Sequence, residues 1–194
     1  DSKVALIYGA AGTGKTYLLN HIAQMFDERT KLFLANTNPA VDNLRRKMKA
    51  QNCDFSTIAM FLKKDNVNVE YDMLVMDECS MVSNSDMRKV LEKANYKLLV
   101  LVGDTYQIEA ISFGNWFSLA KYFLPKKTWN KLITPFRAKN SELLELWTKV
   151  RTLKEDVTEH LVNYGYSSVL NESIFQRSSS DEIILCLNYN GLYG

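Results

Sequence analysis

Three short blocks of this 194-residue sequence carry side chains whose chemistry depends on their order. The first, Gly9-Ala10-Ala11-Gly12-Thr13-Gly14-Lys15-Thr16, follows an apolar run and precedes an amphipathic stretch. Glycines let a backbone close tightly around phosphate, so that successive N–H groups and a positive helix end point at the anion. Gly9, Gly12, Thr13 and Gly14 would form that cradle and Lys15 would reach the terminal phosphates. The Thr16 hydroxyl suits Mg²⁺, which prefers hard oxygen ligands. The second block, Leu74-Val75-Met76-Asp77-Glu78, is an apolar run ending in two acids. Asp77 can hold Mg²⁺ through its water shell, while Glu78 can orient and deprotonate an attacking water. In the third, Val102-Gly103-Asp104-Thr105-Tyr106-Gln107-Ile108, the Gln107 amide is both donor and acceptor, able to sense a phosphate without adding charge. The second and third blocks, taken singly, are often ordinary turns; joined to the glycine-rich block they imply binding and hydrolysis of a nucleoside triphosphate such as ATP.

Elements that could position these groups are visible in the hydrophobic pattern. Short apolar runs at Val4–Tyr8, Lys31–Ala35, Met73–Met76, Lys97–Val102 and Lys131–Thr134 read as strands buried on both faces. Between them, Lys15–Phe26, Pro39–Ala50, Asp86–Ala94 and Ser141–Lys154 show the three-to-four spacing of amphipathic helices. This alternation predicts an α/β domain, a parallel sheet flanked by helices on both faces. The acids and Gln107 then fall at the carboxyl edge of the strands, where open α/β sheets place ligands.

Composition narrows the classes. With 46% hydrophobic, 24% charged and 11% aromatic residues, the chain excludes collagen-like, low-complexity and disulfide-scaffold types. A net charge of +2 is too small to announce a nucleic-acid partner by bulk charge. Cys53, Cys79 and Cys186 have no regular spacing, and His21 and His160 lie near no cysteine pair, which points to reduced thiols rather than a zinc site. There is no signal peptide and no apolar stretch of membrane-spanning length, so a cytoplasmic protein without membrane contact is expected. The serine run at 178–180 precedes an apolar run, Glu182–Leu187, so residues 1–157 are read as one domain and 158–194 as a connection and the start of a truncated second.

Gly103-Asp104-Thr105-Tyr106-Gln107 resembles the Gly-Asp-x-x-Gln motif III of superfamily 1 helicases, whose glutamine contacts the terminal phosphate and relays nucleotide state to a nucleic-acid groove. Further blocks fall in that family's order. Asn36-Thr37-Asn38-Pro39-Ala40 is similar to motif Ia and Ser56-Thr57-Ile58-Ala59 to the next strand-contacting block. Asp77-Glu78-Cys79-Ser80 is similar to motif II of the RecD-like branch, and Pro135-Phe136-Arg137 to motif IV, whose arginine reaches the γ-phosphate. The resemblance implies a RecA-like P-loop NTPase domain, the first motor domain of a DNA helicase or translocase. It implies ATP and Mg²⁺ as cofactors, Lys15, Glu78, Gln107 and Arg137 as catalytic, and Thr16 and Asp77 at the metal. Single-stranded DNA is the implied partner, RNA being a further possibility, with Thr37, Asn38, Ser56 and Thr57 at the backbone.

Trp116 is the stacking candidate among Phe113, Trp116 and Phe117, the other two reading as core. Arg45, Arg46, Lys47, Lys63 and Lys64 read first as a solvated face, with phosphate contact the second reading. The motif II form and Gln107 block lean toward 5′–3′ movement, while Thr37-Asn38-Pro39-Ala40 also suits the UvrD-like 3′–5′ branch. Related RecD-like enzymes insert a β-rich wedge before motif II, for which Lys64–Asp72 leaves no room. A nucleotide-gated nucleic-acid-binding switch without unwinding is therefore the alternative reading. The second motor domain, which closes the cleft in that family, is expected to lie mostly outside this sequence.

Overall fold

The structure, a computed structural model, describes residues 3–64, 69–107, 110, 112–136 and 140–167. Strands β1 (Val4–Gly9), β2 (Lys31–Ala35), β3 (Cys53–Thr57), β4 (Glu70–Met76), β5 (Asn95–Gly103) and β6 (Trp129–Leu132) form one sheet in the order β3-β2-β4-β5-β1-β6. Every pairing is parallel. Around it lie α1 (Lys15–Met25), α2 (Asn38–Lys47), α3 (Ile58–Lys63), α4 (Asn84–Lys93) and α5 (Trp116–Phe123).

The continuous apolar runs follow from a core on each face. Successive strand residues point to opposite sides. Accordingly, Leu6 and Leu34 join one buried cluster with Phe61, Val90 and Phe117, whereas Ile7 and Phe33 join another with Leu19, Val41 and Leu44. A strand with a wet face would alternate; β2 has none and is buried at all five positions, including Lys31. The Lys31 ammonium donates to the carbonyl oxygens of Phe26, Asp27 and Arg29, which lie past the end of α1. A buried cation there is satisfied by carbonyls and favoured by the negative end of the helix.

Lys31–Ala35 forms a strand with the bounds expected, the strands at Val4–Tyr8, Met73–Met76 and Lys97–Val102 are longer at one or both ends, and the one at Lys131–Thr134 moves. Lys131–Thr134 becomes Trp129–Leu132 because β6 pairs with β1 from Leu6↔Trp129 to Gly9↔Leu132, and β1 ends where the glycine-rich loop begins. The helix expected over Pro39–Ala50 stops at Lys47, since Met48 is buried with extended backbone and the Lys49 N–H donates to Asn20 Oδ1 at 2.7 Å. β3, α3 and α5 are elements beyond those the hydrophobic pattern predicts. The strand Cys53–Thr57 is polar at several positions, because the sheet edge exposes part of it.

The described residues fall into two compact units, one ending at Ser141 and one beginning at Glu142. The boundary read from composition was 157/158. In the second unit, α6 (Ser141–Arg151) and α7 (Val157–Asn163) are tied by Lys149, which donates to Asp156 at 2.8 Å and contacts His160 Nδ1 at 3.2 Å. The apolar run Glu182–Leu187, expected to open a further domain, lies outside the described residues.

Candidate nucleotide site

The loop between β1 and α1 is built by backbone conformations that favour glycine. Gly12 and Gly14 have φ of 77° and 86°, the left-handed region, and Gly14 is the residue on which α1 starts. At Gly9 the constraint is space: a Cβ would meet Thr13 Oγ1 at 2.5 Å. Thr13 is buried and donates its hydroxyl proton to the Ala10 carbonyl at 2.8 Å, closing the loop on itself. Lys15 Nζ donates to the Gly9 and Ala10 carbonyls, both at 2.8 Å, so the cation is held at the mouth of the cradle.

One cleft of about 740 Å³ joins this loop to the other two blocks, its walls including Lys15, Thr16, Asp77, Glu78, Gly103 and Gln107. Asp77 follows β4 directly, and its N–H extends the sheet by donating to the Leu34 carbonyl at 2.9 Å. Only 8% of Asp77 is exposed. Burial raises its carboxyl above the usual range, opposed by the Glu78 N–H and by Lys15. Glu78 sits at φ 56°, a strained left-handed conformation for a residue with a Cβ. That turn ends the strand line, and the Glu78 N–H donates to Asp77 Oδ1 at 2.9 Å. Burial, and then repulsion from Asp77, push the Glu78 carboxyl up, while Lys15 pulls it down. Raising the pKa of a carboxyl makes its carboxylate the stronger base, which suits a proton acceptor.

Gln107 is presented by a turn. Asp104, 1% exposed, accepts the Tyr106 N–H at its Oδ1 and the Gln107 N–H at its carbonyl. At Gly103, the last residue of β5, a Cβ would lie 2.7 Å from Phe117 and 3.1 Å from the Cys79 nitrogen. That close approach is what lets motif III lie against the segment after motif II.

Arg137 lies outside the described residues. Its neighbour Phe136 is a feature the sequence reading passed over. The Phe136 N–H donates to the Gly12 carbonyl at 2.8 Å, and the residue lines the cleft beside Gly14. Its signal in the sequence is the Pro135-Phe136-Arg137 block itself. Tyr17 and His21, paired at 4.3 Å between ring centroids, also line the cleft, and no motif flagged them.

The strand-contacting candidates separate. Thr37 and Asn38 are exposed at the start of α2, where Thr37 Oγ1 accepts the Ala40 N–H at 3.4 Å. Ser56 and Thr57 are buried; Ser56 donates to the Thr57 carbonyl and Thr57 caps α3 by accepting from Met60. Trp116 is turned inward, its indole N–H donating to the Val82 carbonyl at 2.8 Å and its ring packed on the core with Phe117. Of the three aromatics considered, Phe113 is the one left in solvent, 89% exposed. The Trp116 N–H needs a partner when half-buried, and Phe113 has no such demand.

No group of three or more His, Cys, Asp or Glu suited to a metal occurs among the described residues, and no helix there is long and apolar enough to cross a membrane. Cys53 and Cys79 are free thiols.

Comparison with known proteins agrees with this geometry. An AAA domain family, AAA_30, matches residues 1–170, and the chain belongs to it. A DNA replication ATP-dependent helicase/nuclease JHS1 of Arabidopsis thaliana is 35% identical over 91 residues, covering 46% of this chain and 7% of that protein. Among solved structures, Bacteroides Pif1 bound to ssDNA superposes with a TM-score of 0.63 at 15% identity, covering 94% of this chain and 49% of that one. Pif1 helicase from Candida albicans gives a TM-score of 0.57 at 20% identity, covering 88% and 46%. These likenesses show the fold, a RecA-like parallel sheet flanked by helices. The chain spans about half the length of these structures and a small fraction of the curated relatives.

Proposed function

We propose that this chain is the first motor domain of a superfamily 1 DNA helicase or translocase of the RecD-like branch, one that hydrolyses ATP and moves 5′ to 3′ on single-stranded DNA. The observation that carries this reading is the single cleft shared by Lys15, Asp77, Glu78 and Gln107, residues from three separate sequence blocks. The membership of the AAA domain family and the Pif1-like fold support it.

The residues fit a magnesium nucleotide: a cradle of positive-φ glycines, a lysine at its mouth, and a buried carboxylate whose charge burial disfavours. Thr16 and Asp77 would hold Mg²⁺, which supplies charge neutralisation at the phosphates when bound. The loop N–H groups and Lys15 bind and orient the polyphosphate. Glu78 takes the proton of the attacking water on its carboxylate, and its raised pKa matches that task. Gln107 registers the terminal phosphate, and the arginine of the Pro135-Phe136-Arg137 block would add positive charge at it. Thr37, Asn38, Ser56 and Thr57 belong to the proposed DNA track, the exposed Thr37 and Asn38 offering side chains to it, and Trp116 shapes its rim.

The structure also favours the second reading. α3 ends at Lys63 and β4 begins at Glu70, so no wedge domain separates them. This chain then grips nucleic acid under nucleotide control without splitting duplexes, and the polarity of the UvrD-like branch is the remaining rival. Strand-stimulated ATPase and directional movement, measured on the full-length parent, decide among these. Stimulation with 5′–3′ displacement supports the motor; ATP-dependent binding without movement supports the switch; 3′–5′ movement overturns the RecD-like assignment.

A further inference from the structure

Residues 110–141 contain six lysines and arginines, seven aromatic residues and no aspartate or glutamate. This stretch carries +6 in a chain whose net charge is +2, which leaves −4 for the rest. Among its described residues, Tyr122 and Phe123 at the end of α5 are 72% and 83% exposed, while Phe117 on the same helix is buried in the core. Lys126 and Lys127 follow in the next turn and are exposed. Lys121 lies 4.9 Å from the Tyr122 ring centroid and Lys126 lies 3.3 Å from that of Trp129, so cations and rings are interleaved.

This patch is at the opposite edge of the sheet from the nucleotide cleft. α5 follows β5, which ends at the carboxyl edge, and must return to the start of β6. β6 begins level with Leu6 of β1, so Lys126–Thr128 lie beside the amino-terminal end of that strand. Lys127 and Thr128 indeed line a cavity with Val4, Ala5 and Leu98. The six residues of β1 separate the two edges by about 20 Å.

A lysine on an edge strand such as Lys131 guards against strand pairing, and that alone would explain it. It does not explain two exposed aromatic rings beside exposed lysines in a stretch without an acid. Rings that can stack on bases, interleaved with cations that meet phosphates, are the chemistry of single-strand binding without sequence preference. An anionic membrane surface is the poorer match, because α5 has eight residues and shows only Leu119, Tyr122 and Phe123 as exposed apolar groups.

We propose that Tyr122, Phe123, Lys126 and Lys127 form a second surface for single-stranded nucleic acid, separate from the nucleotide-controlled track at the carboxyl edge and indifferent to nucleotide state. The test uses the 194-residue chain and fluorescein-labelled dT20 and rU20, read by anisotropy across a salt series with and without ATP and Mg²⁺. Lys126→Glu/Lys127→Glu should weaken binding tenfold or more, by the same factor with and without nucleotide. Loss of two phosphate contacts should lower the salt slope by about 1.4. Tyr122→Ala/Phe123→Ala should weaken binding with the salt slope unchanged.

Lys15→Ala, which removes the nucleotide response, should leave the contribution of this patch intact, so a failed motor assignment and a failed patch give different patterns. If a charge-reversal variant misfolds by circular dichroism, cross-linking of iodouracil-substituted dT20 to Tyr122 or Phe123 in the wild-type chain replaces it. Wild-type affinity and slope in both double variants, or absence of that cross-link, overturns the proposal. So does binding confined to phosphatidylserine-containing vesicles.

Discussion

Asp77 and Glu78 are neighbours whose burial acts against their own charge, and this gives a pH signature. Because the Asp77 carboxyl is raised in the folded state, mainly by burial, folding favours its protonated form. The stability it contributes is complete below the ordinary carboxylate range, near pH ~4, and is lost as pH rises through the raised value. Asp77→Asn should therefore raise the melting temperature of the chain at pH 7 in the absence of nucleotide, and the difference should shrink as pH falls toward ~4; a thermal-melt series across pH checks it. Glu78→Gln should leave ATP affinity within about twofold yet stop hydrolysis in the full-length parent, since only the proton acceptor is lost. Calorimetry and single-turnover phosphate release measure the two halves. Both acids were visible as a pair in the sequence, but their unequal burial and the left-handed backbone of Glu78 were not, because neither depends on local residues.

At the scale of elements, the contacts that hold the site are short-range and intolerant of volume. Gly103 gives up its side-chain space to Phe117 and to the Cys79 backbone, so Gly103→Val should destabilise the fold by about 1–3 kcal/mol, measured by urea unfolding. Lys31 is fully buried and donates to three carbonyls beyond α1. Lys31→Met keeps the volume and leaves those acceptors unpaired, at an expected cost of about 3 kcal/mol by the same measurement. Neither role is visible locally: Gly103 reads as part of a nucleotide motif, and Lys31 as the polar start of a strand. The missed elements tell the same story. α5 lacked a clear pattern because its buried Phe117 and its exposed Tyr122 and Phe123 are all aromatic, so polarity does not mark its inner face.

For the whole molecule, the expected consequence of the shared cleft is ligand-linked stability. ATP with Mg²⁺ at a hundredfold over its Kd should add about 2.7 kcal/mol to the unfolding free energy. In a chain of this size that is a rise of roughly 5–10 °C in melting temperature. Lys15→Ala should show no such rise, and a scanning-calorimetry comparison of the two decides the phosphate-loop assignment. The alternation of apolar runs, the glycine spacing and the two acid and amide blocks were enough to specify a parallel α/β sheet with a phosphate loop, because those signals are local: strand burial on both faces, left-handed glycines and strand-end polar residues each involve adjacent positions. The strand order did not follow from them. Neither did the gathering of Gln107 and Lys15 around one cleft, the packing of Trp116 against the core, or the placing of Tyr122 and Phe123 beside lysines at the far edge. Those are set by which side chains win limited space in two cores packed against one sheet, and such competition is resolved only between residues distant along the chain.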